Sequence, residues 1–74
     1  MARLLLALMI RMIKELRCAD VFAGCPHVEH GQDIRALIGQ FMIHVREIHR
    51  VTSPTPELRI RVMTAVREVH AQVE

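Results

Sequence analysis

Two thiols and two imidazoles stand at intervals that suit one metal ion. Cys18 and Cys25, the only cysteines, are spaced Cys-x6-Cys; after eighteen intervening residues His44 and His49 follow as His-x4-His. Zinc takes sulfur and nitrogen donors in a tetrahedron, with bonds of about 2.3 Å to sulfur and about 2.0–2.1 Å to nitrogen. Two thiolates and two imidazoles complete that tetrahedron and leave no position for water, so such a site is structural. The gap between the cysteines is longer than the usual two to four residues. An interval of five on a regular helix sets two side chains about 140° apart. His44 and His49 therefore share an ion only if their turn loosens or tightens.

Other readings of these residues compete. His27 and His30 lie close to Cys25 and offer a local knot of Cys18, Cys25, His27 and His30. Residues three apart on a short strand face opposite ways, and the knot leaves the later pair idle, so His27 and His30 read better as solvated surface. Without a metal, Cys18 and Cys25 are either a disulfide in an exported protein or two buried free thiols, which behave as small core residues. His70 reads as helix surface. Cys25 with His27 or His44 imitates a thiol–imidazole pair, but a chain of 74 residues has little room for a substrate pocket. No Gly-rich phosphate loop, Ser/His/Asp arrangement or paired carboxylates accompany it. The expectation is a protein that is not an enzyme. Iron–sulfur ligation wants more thiolates.

The elements that must position the donors follow from pattern. Ile13 to Cys18 alternate as a short strand with Leu16 and Cys18 on one face. Gly24 and Pro26 punctuate a turn, and residues 27–30 form a return strand with Pro26 at its start, where a missing N–H is tolerated. Residues 13–30 thus read as a hairpin that carries both thiols. Asp33 is an N-cap, and Ile34, Leu37, Ile38, Phe41, Val45 and Ile48 form the apolar stripe of a helix reaching about Arg50. His44 and His49 flank that stripe and lean toward whatever packs on it. Ile43 falls on the outer face and Met42 at the edge. Ser53-Pro54-Thr55-Pro56 breaks the helix. Thr55 caps a second helix with Pro56 in its first position and Glu57 near its positive end. Leu58, Val62, Ala65, Val66, Val69 and Val73 give it an apolar stripe, with Ile60 and Met63 off it. The fold class expected is α+β, a zinc-finger-like β-hairpin followed by two α-helices (ββαα).

Composition explains why a metal would matter. A single domain of 74 residues, 51% hydrophobic but only 3% aromatic, has little area to bury, and chains this short commonly need a metal, disulfides or a partner. Structural zinc is worth about 10–16 kcal/mol of apparent binding energy in finger peptides, against about 3–5 kcal/mol from a core this small. A net charge of +2, with ten basic among eight acidic residues, is a mixed surface rather than a polybasic tail. So few aromatic rings argue against single-strand stacking platforms. Two cysteines and no cleavable signal fit a reducing, cytoplasmic setting.

Residues 1–11 stand apart. Leu4 to Ile10 is an unbroken apolar run of seven, far short of the roughly 20 needed to span a bilayer. Arg11, Lys14 and Glu15 follow it instead of a small-residue cleavage site. It reads as a helix packed on a partner or a second copy, as a membrane-surface anchor, or as an upstream extension with Met12 the natural start. The domain division expected is 1–11 as an apolar extension, with or without helix, and 12–74 as the zinc-binding domain.

From Met12 to Glu74 the chain resembles a family of small bacterial proteins of unknown function described as predicted small metal-binding proteins. Lys14-Glu15-Leu16-Arg17-Cys18-Ala19-Asp20 looks like that family's opening, Cys25 falls at its second cysteine interval, and His44-Val45-Arg46-Glu47-Ile48-His49 looks like its helical His-x4-His. Thr55-Pro56-Glu57-Leu58 looks like its entry to the last helix. The resemblance implies that Cys18, Cys25, His44 and His49 are the metal ligands, in a hairpin–helix–helix fold. Where the family often has Gly after the second histidine, this chain has Arg50, and residues 1–11 have no counterpart. The function expected is a non-enzymatic module with a Zn2+ site, acting on a protein partner or within a larger complex. The alternative is a nucleic-acid-binding regulator that uses Arg35, Arg46, Arg50, Arg59, Arg61 and Arg67 on phosphates.

Overall fold

The structure is a computed structural model; it describes residues 10–72, and side chains from Met12 to His70. Strand β1 (Ile10–Arg17) runs into a 3-10 turn at Cys18–Asp20, and the chain returns as β2 (Val28–Gly31). Helix α1 (Ile34–His49) and helix α2 (Pro56–Ala65) follow, and a last strand, β3 (Arg67–Gln72), closes the described chain. The sheet is antiparallel in the order β2-β1-β3. The architecture is therefore α+β, as the pattern implied, but its order is β-β-α-α-β rather than ββαα.

The correction lies in the last third. The expected second helix stops at Ala65, Val66 turns extended (φ −65°, ψ 129°), and residues 67–72 pair with residues 10–15. Two forces favour this outcome. Val66 and Val69 are β-branched and fit a pleated surface. β2 covers β1 only from Lys14 to Arg17, so the other edge of β1 offers a row of unpaired backbone groups that β3 satisfies. Val69 meets Ile13, and Lys14 meets Glu68 with an ion pair at 3.9 Å. His70 is thus on a strand opposite Met12, not on a helix surface. Of the segment set apart as 1–11, residues 1–9 lie outside the described residues, and Ile10 and Arg11 begin β1. Val73 also lies outside them.

Helix α1 begins where the sequence placed it. The Asp33 carboxylate accepts from the Arg35 backbone N–H at 3.2 Å, satisfying one of the donors that a helix start leaves free. α2 begins likewise, with Thr55 Oγ1 accepting from the Leu58 N–H at 3.1 Å and Pro56 in the first turn. The face that α1 buries is narrower than the expected stripe. Leu37, Phe41 and Val45 are fully covered, whereas Ile34 and Ile48, assigned to the same stripe, are 42% and 63% exposed. The buried residues form a single i, i+4 row, and His49 is its next member. That row points His49 at the sheet and turns Ile48 outward. Leu16 from β1, Cys18 and Val21 from the turn, and Val62 from α2 complete the core.

On the strands, Glu15 is buried and sits directly across from His30. Its carboxylate accepts from Arg17 Nε at 2.7 Å and meets His30 Nε2 at 2.9 Å. The hydrogen bond from His30, then that from Arg17, holds the Glu15 carboxyl below its usual range. Among the described residues no helix is long and apolar enough to cross a membrane.

Candidate metal centre

The thiol-bearing loop is shaped by its backbone. The Cys18 N–H donates to the His27 carbonyl at 2.9 Å, extending the β1–β2 ladder by one rung. Val21 and Phe22 N–H both return to the Cys18 carbonyl, at 2.9 and 2.7 Å, and Cys25 N–H to the Phe22 carbonyl at 3.2 Å. Gly24 takes φ +88° between them, a conformation open to glycine at little cost. The chain therefore folds back sharply enough to bring the two cysteines together, despite six intervening residues. Both cysteines are free thiols; Cys18 is buried and Cys25 half-buried.

The imidazoles come from the end of α1, where the helix is wound wider than an α-turn. The Arg50 N–H bonds the Val45 carbonyl five residues back, and Val51 N–H reaches the same carbonyl at 3.4 Å. A regular α-turn spans four; the helix therefore ends in a widened turn directly after His49. Arg50 ends the helix in the left-handed region (φ 60°, ψ 28°), the position in which a glycine is usual.

Cys18, Cys25, His44 and His49 bring one donor atom each to within 4.8 Å of all the others. Cys18 Sγ lies 3.3 Å from His49 Nε2, and Cys25 Sγ lies 3.4 Å from His44 Nε2. A tetrahedron built on zinc bonds to sulfur and nitrogen has edges of about 3.3–3.8 Å, so these contacts already have the length of its edges. The donor set suits a thiophilic divalent ion, and the two sulfur–nitrogen contacts supply two of the six edges that one ion needs.

The electrostatics point the same way. Burial first, then the hydrogen bond and charge of Cys25, push the Cys18 thiol up to about 12. Burial first, then the neighbouring His27 and His49, lowers His44 from its ordinary value, while Glu29 opposes the shift. Metal-free, the pocket favours a neutral thiol at Cys18 and a neutral imidazole at His44. The imidazole is already in its ligating form; the thiol becomes a ligand only when a cation offsets the charge left by its proton.

Two rings accompany the donors that sequence reasoning did not assign to the site. Phe22 stacks on His49 with centroids 4.0 Å apart and planes 7° from parallel; His27 stacks on His44 at 3.9 Å and 8°. His27 is thus not the solvated residue expected. It is half-buried, its Nε2 is buried without a hydrogen-bond partner, and the nearest carboxylate oxygen, on Glu29, is 3.7 Å away. His30 is engaged by Glu15. Among the described residues neither joins the donor cluster, so the knot of Cys18, Cys25, His27 and His30 is not formed. Phe22 as the sole aromatic between the cysteines was the available signal; which imidazole it would meet was not readable from spacing.

Residues 13–68, which contain all four donors, match the model of the family described as "Protein of unknown function (DUF1059)". No curated protein matches the chain, and no solved structure does.

Proposed function

This chain belongs to that family of unknown function, and from its own site we propose that it is a small non-enzymatic module. In this reading Cys18, Cys25, His44 and His49 hold Zn2+ as a structural ion, and the module acts through contact with another protein. The observation that carries the metal is the convergence of four sulfur and nitrogen donors from a turn and a helix end within 4.8 Å. Four protein donors fill zinc's usual coordination, which supports a structural role. The ion ties α1 to the sheet in a chain with few aromatic residues to bury.

The protein partner is supported by apolar surface left uncovered. Ile43 and Ile48 on α1, and Ile60 and Met63 on α2, are each about half exposed or more. Ile43 and Ile48 border an open hollow of about 630 Å³ that reaches Cys25, His27 and Glu29. Apolar side chains left exposed beside a hollow support a contact site. A second reading, nucleic-acid binding, draws on Arg35, Arg46, Arg50, Arg59, Arg61 and Arg67, none of which has an acidic partner within ion-pair distance among the described residues. Binding of duplex DNA or RNA that weakens steeply with salt would favour it.

Metal content and thermal melting of the wild type beside Cys18→Ser and His49→Ala test the site. One tightly held zinc in the wild type, with a lower melting temperature and lost metal in both variants, is the expected result. Full stability in a metal-free wild type would overturn the proposal. Capture of partners from the native cell, with Ile43→Glu and Met63→Glu as surface controls, tests the second half.

A further inference from the structure

Imidazole ligands are normally aimed by a hydrogen bond from their second ring nitrogen to a carboxylate or carbonyl, which fixes ring orientation. Among the described residues, His44 and His49 have no such partner; their hydrogen-bond contacts are those of Nε2 with the two thiols. Each ring is instead covered face to face by another: Phe22 lies on His49 and His27 on His44, both nearly parallel. Both covering rings belong to the segment that carries the thiols. Phe22 sits between Cys18 and Cys25, and His27 two residues after Cys25.

Between the two stacks, His44 and His49 meet edge to face, with centroids 5.1 Å apart and planes 75° from parallel. Stacking restricts an imidazole to sliding or rotating in its own plane, and within those planes each Nε2 meets one sulfur, His49 with Cys18 and His44 with Cys25. The orphaned Nε2 of His27 accords with this. A buried nitrogen without a partner is destabilising, which is hard to reconcile with a ring placed for its polarity and easy to reconcile with one placed for its flat face.

Resting on the metal reading above, we infer that Phe22 and His27 are positioning residues: two flat plates, carried by the thiol loop, that aim the imidazoles of His49 and His44 at the metal. The loop thereby supplies two donors and orients the other two. Loss of an orienting partner commonly weakens metal binding about 10–100-fold.

The test compares variants that keep a ring with variants that keep only apolar bulk. Zinc affinity of the full chain is measured by competition with a chelator, and the Co2+-loaded protein is read by its visible absorption, which reports coordination geometry. Phe22→Leu and His27→Leu are expected to lose about tenfold or more in affinity and to change the Co2+ spectrum. Phe22→Tyr and His27→Phe are expected to keep both. Val62→Ala, a core change on α2 outside the donor set and the stacked rings, controls for destabilisation: it lowers apparent affinity through folding but leaves the Co2+ spectrum as in the wild type. Leucine variants that match the wild type in affinity and spectrum would overturn the plates while leaving the metal site standing. Spectra altered as much by Val62→Ala as by the leucine variants would overturn them too. A wild type that binds neither Zn2+ nor Co2+ overturns the metal reading itself, and the plates with it.

Discussion

Arg50→Gly is expected to stabilise the protein, and the size of the effect follows from one backbone angle. Arg50 ends α1 with φ 60° and ψ 28°, where the Cβ of an L-residue crowds the following carbonyl at a cost of about 1–2 kcal/mol. Glycine removes that cost but loses more freedom on folding, about 0.5–1 kcal/mol relative to a residue with a side chain. The arginine is exposed and has no ion-pair partner among the described residues, so its removal adds a change within about 0.5 kcal/mol. With like ends of the two ranges paired, the net gain is about 0.5–1 kcal/mol. Domains of this size shift by about 4–8 °C per kcal/mol, so thermal melting of the zinc-loaded protein should rise by about 2–8 °C. Arg50→Ala separates the backbone effect from loss of the guanidinium, since alanine keeps the strain and should show no gain. Zinc affinity should be unchanged or higher, because the same left-handed residue closes the widened turn that carries His49. A glycine variant no more stable than the alanine variant would refute a strained left-handed cap at this position.

Other perturbations have defined outcomes. Leu37→Ala removes a fully buried side chain under α1 and should cost about 2–5 kcal/mol; urea titration should find it close to unfolded with chelator present and folded at saturating zinc. Zinc affinity should fall at least about tenfold for each pH unit between 8 and 6, because the Cys18 thiol, pushed up to about 12, must release its proton to bind metal; a flat affinity over that range, read by chelator competition, would refute a thiolate ligand. His44 is lowered in the folded state, so below about 6.5 the unfolded chain takes up the proton first and metal-free stability should decline as pH falls; denaturant melts at pH 5 and 7 check the sign. Glu15→Gln should destabilise the protein above pH 4.5, where the native carboxylate is charged and paired with His30 and Arg17. That difference should shrink as pH drops through the lowered folded value.

Most of what positions the site was legible in local patterning. The helix N-caps at Asp33 and Thr55, the reversal carrying the cysteines, and the helical His-x4-His are features in which each residue's preference concerns its own neighbours. What was missed depends on partners distant in sequence. Residues 62–73 hold valines at intervals that read as a helical stripe, yet Val69, Ala71 and Val73 also alternate. The choice between periods was made by the open edge of β1, fifty residues away. The stripe of α1 was drawn too wide because a wheel ranks Ile34 and Ile48 by angle alone, whereas the short sheet supports only the row through Leu37, Phe41 and Val45. The same row, extended by one step, explains why His49 faces Cys18. Spacing posed the interval of five as a geometric obstacle; in the fold both imidazoles nonetheless reach a thiol, His44 at 3.4 Å and His49 at 3.3 Å. The stacking of Phe22 and His27 has no signature in spacing, since it arises only when the loop and helix end meet.

The central claim, one zinc held by Cys18, Cys25, His44 and His49, is tested most directly by native mass spectrometry of the wild-type chain beside the four single variants. One zinc per wild-type chain is expected, with loss of that zinc in Cys18→Ser, Cys25→Ser, His44→Ala and His49→Ala. A folded, metal-free wild type, or variants that retain the zinc, would contradict it.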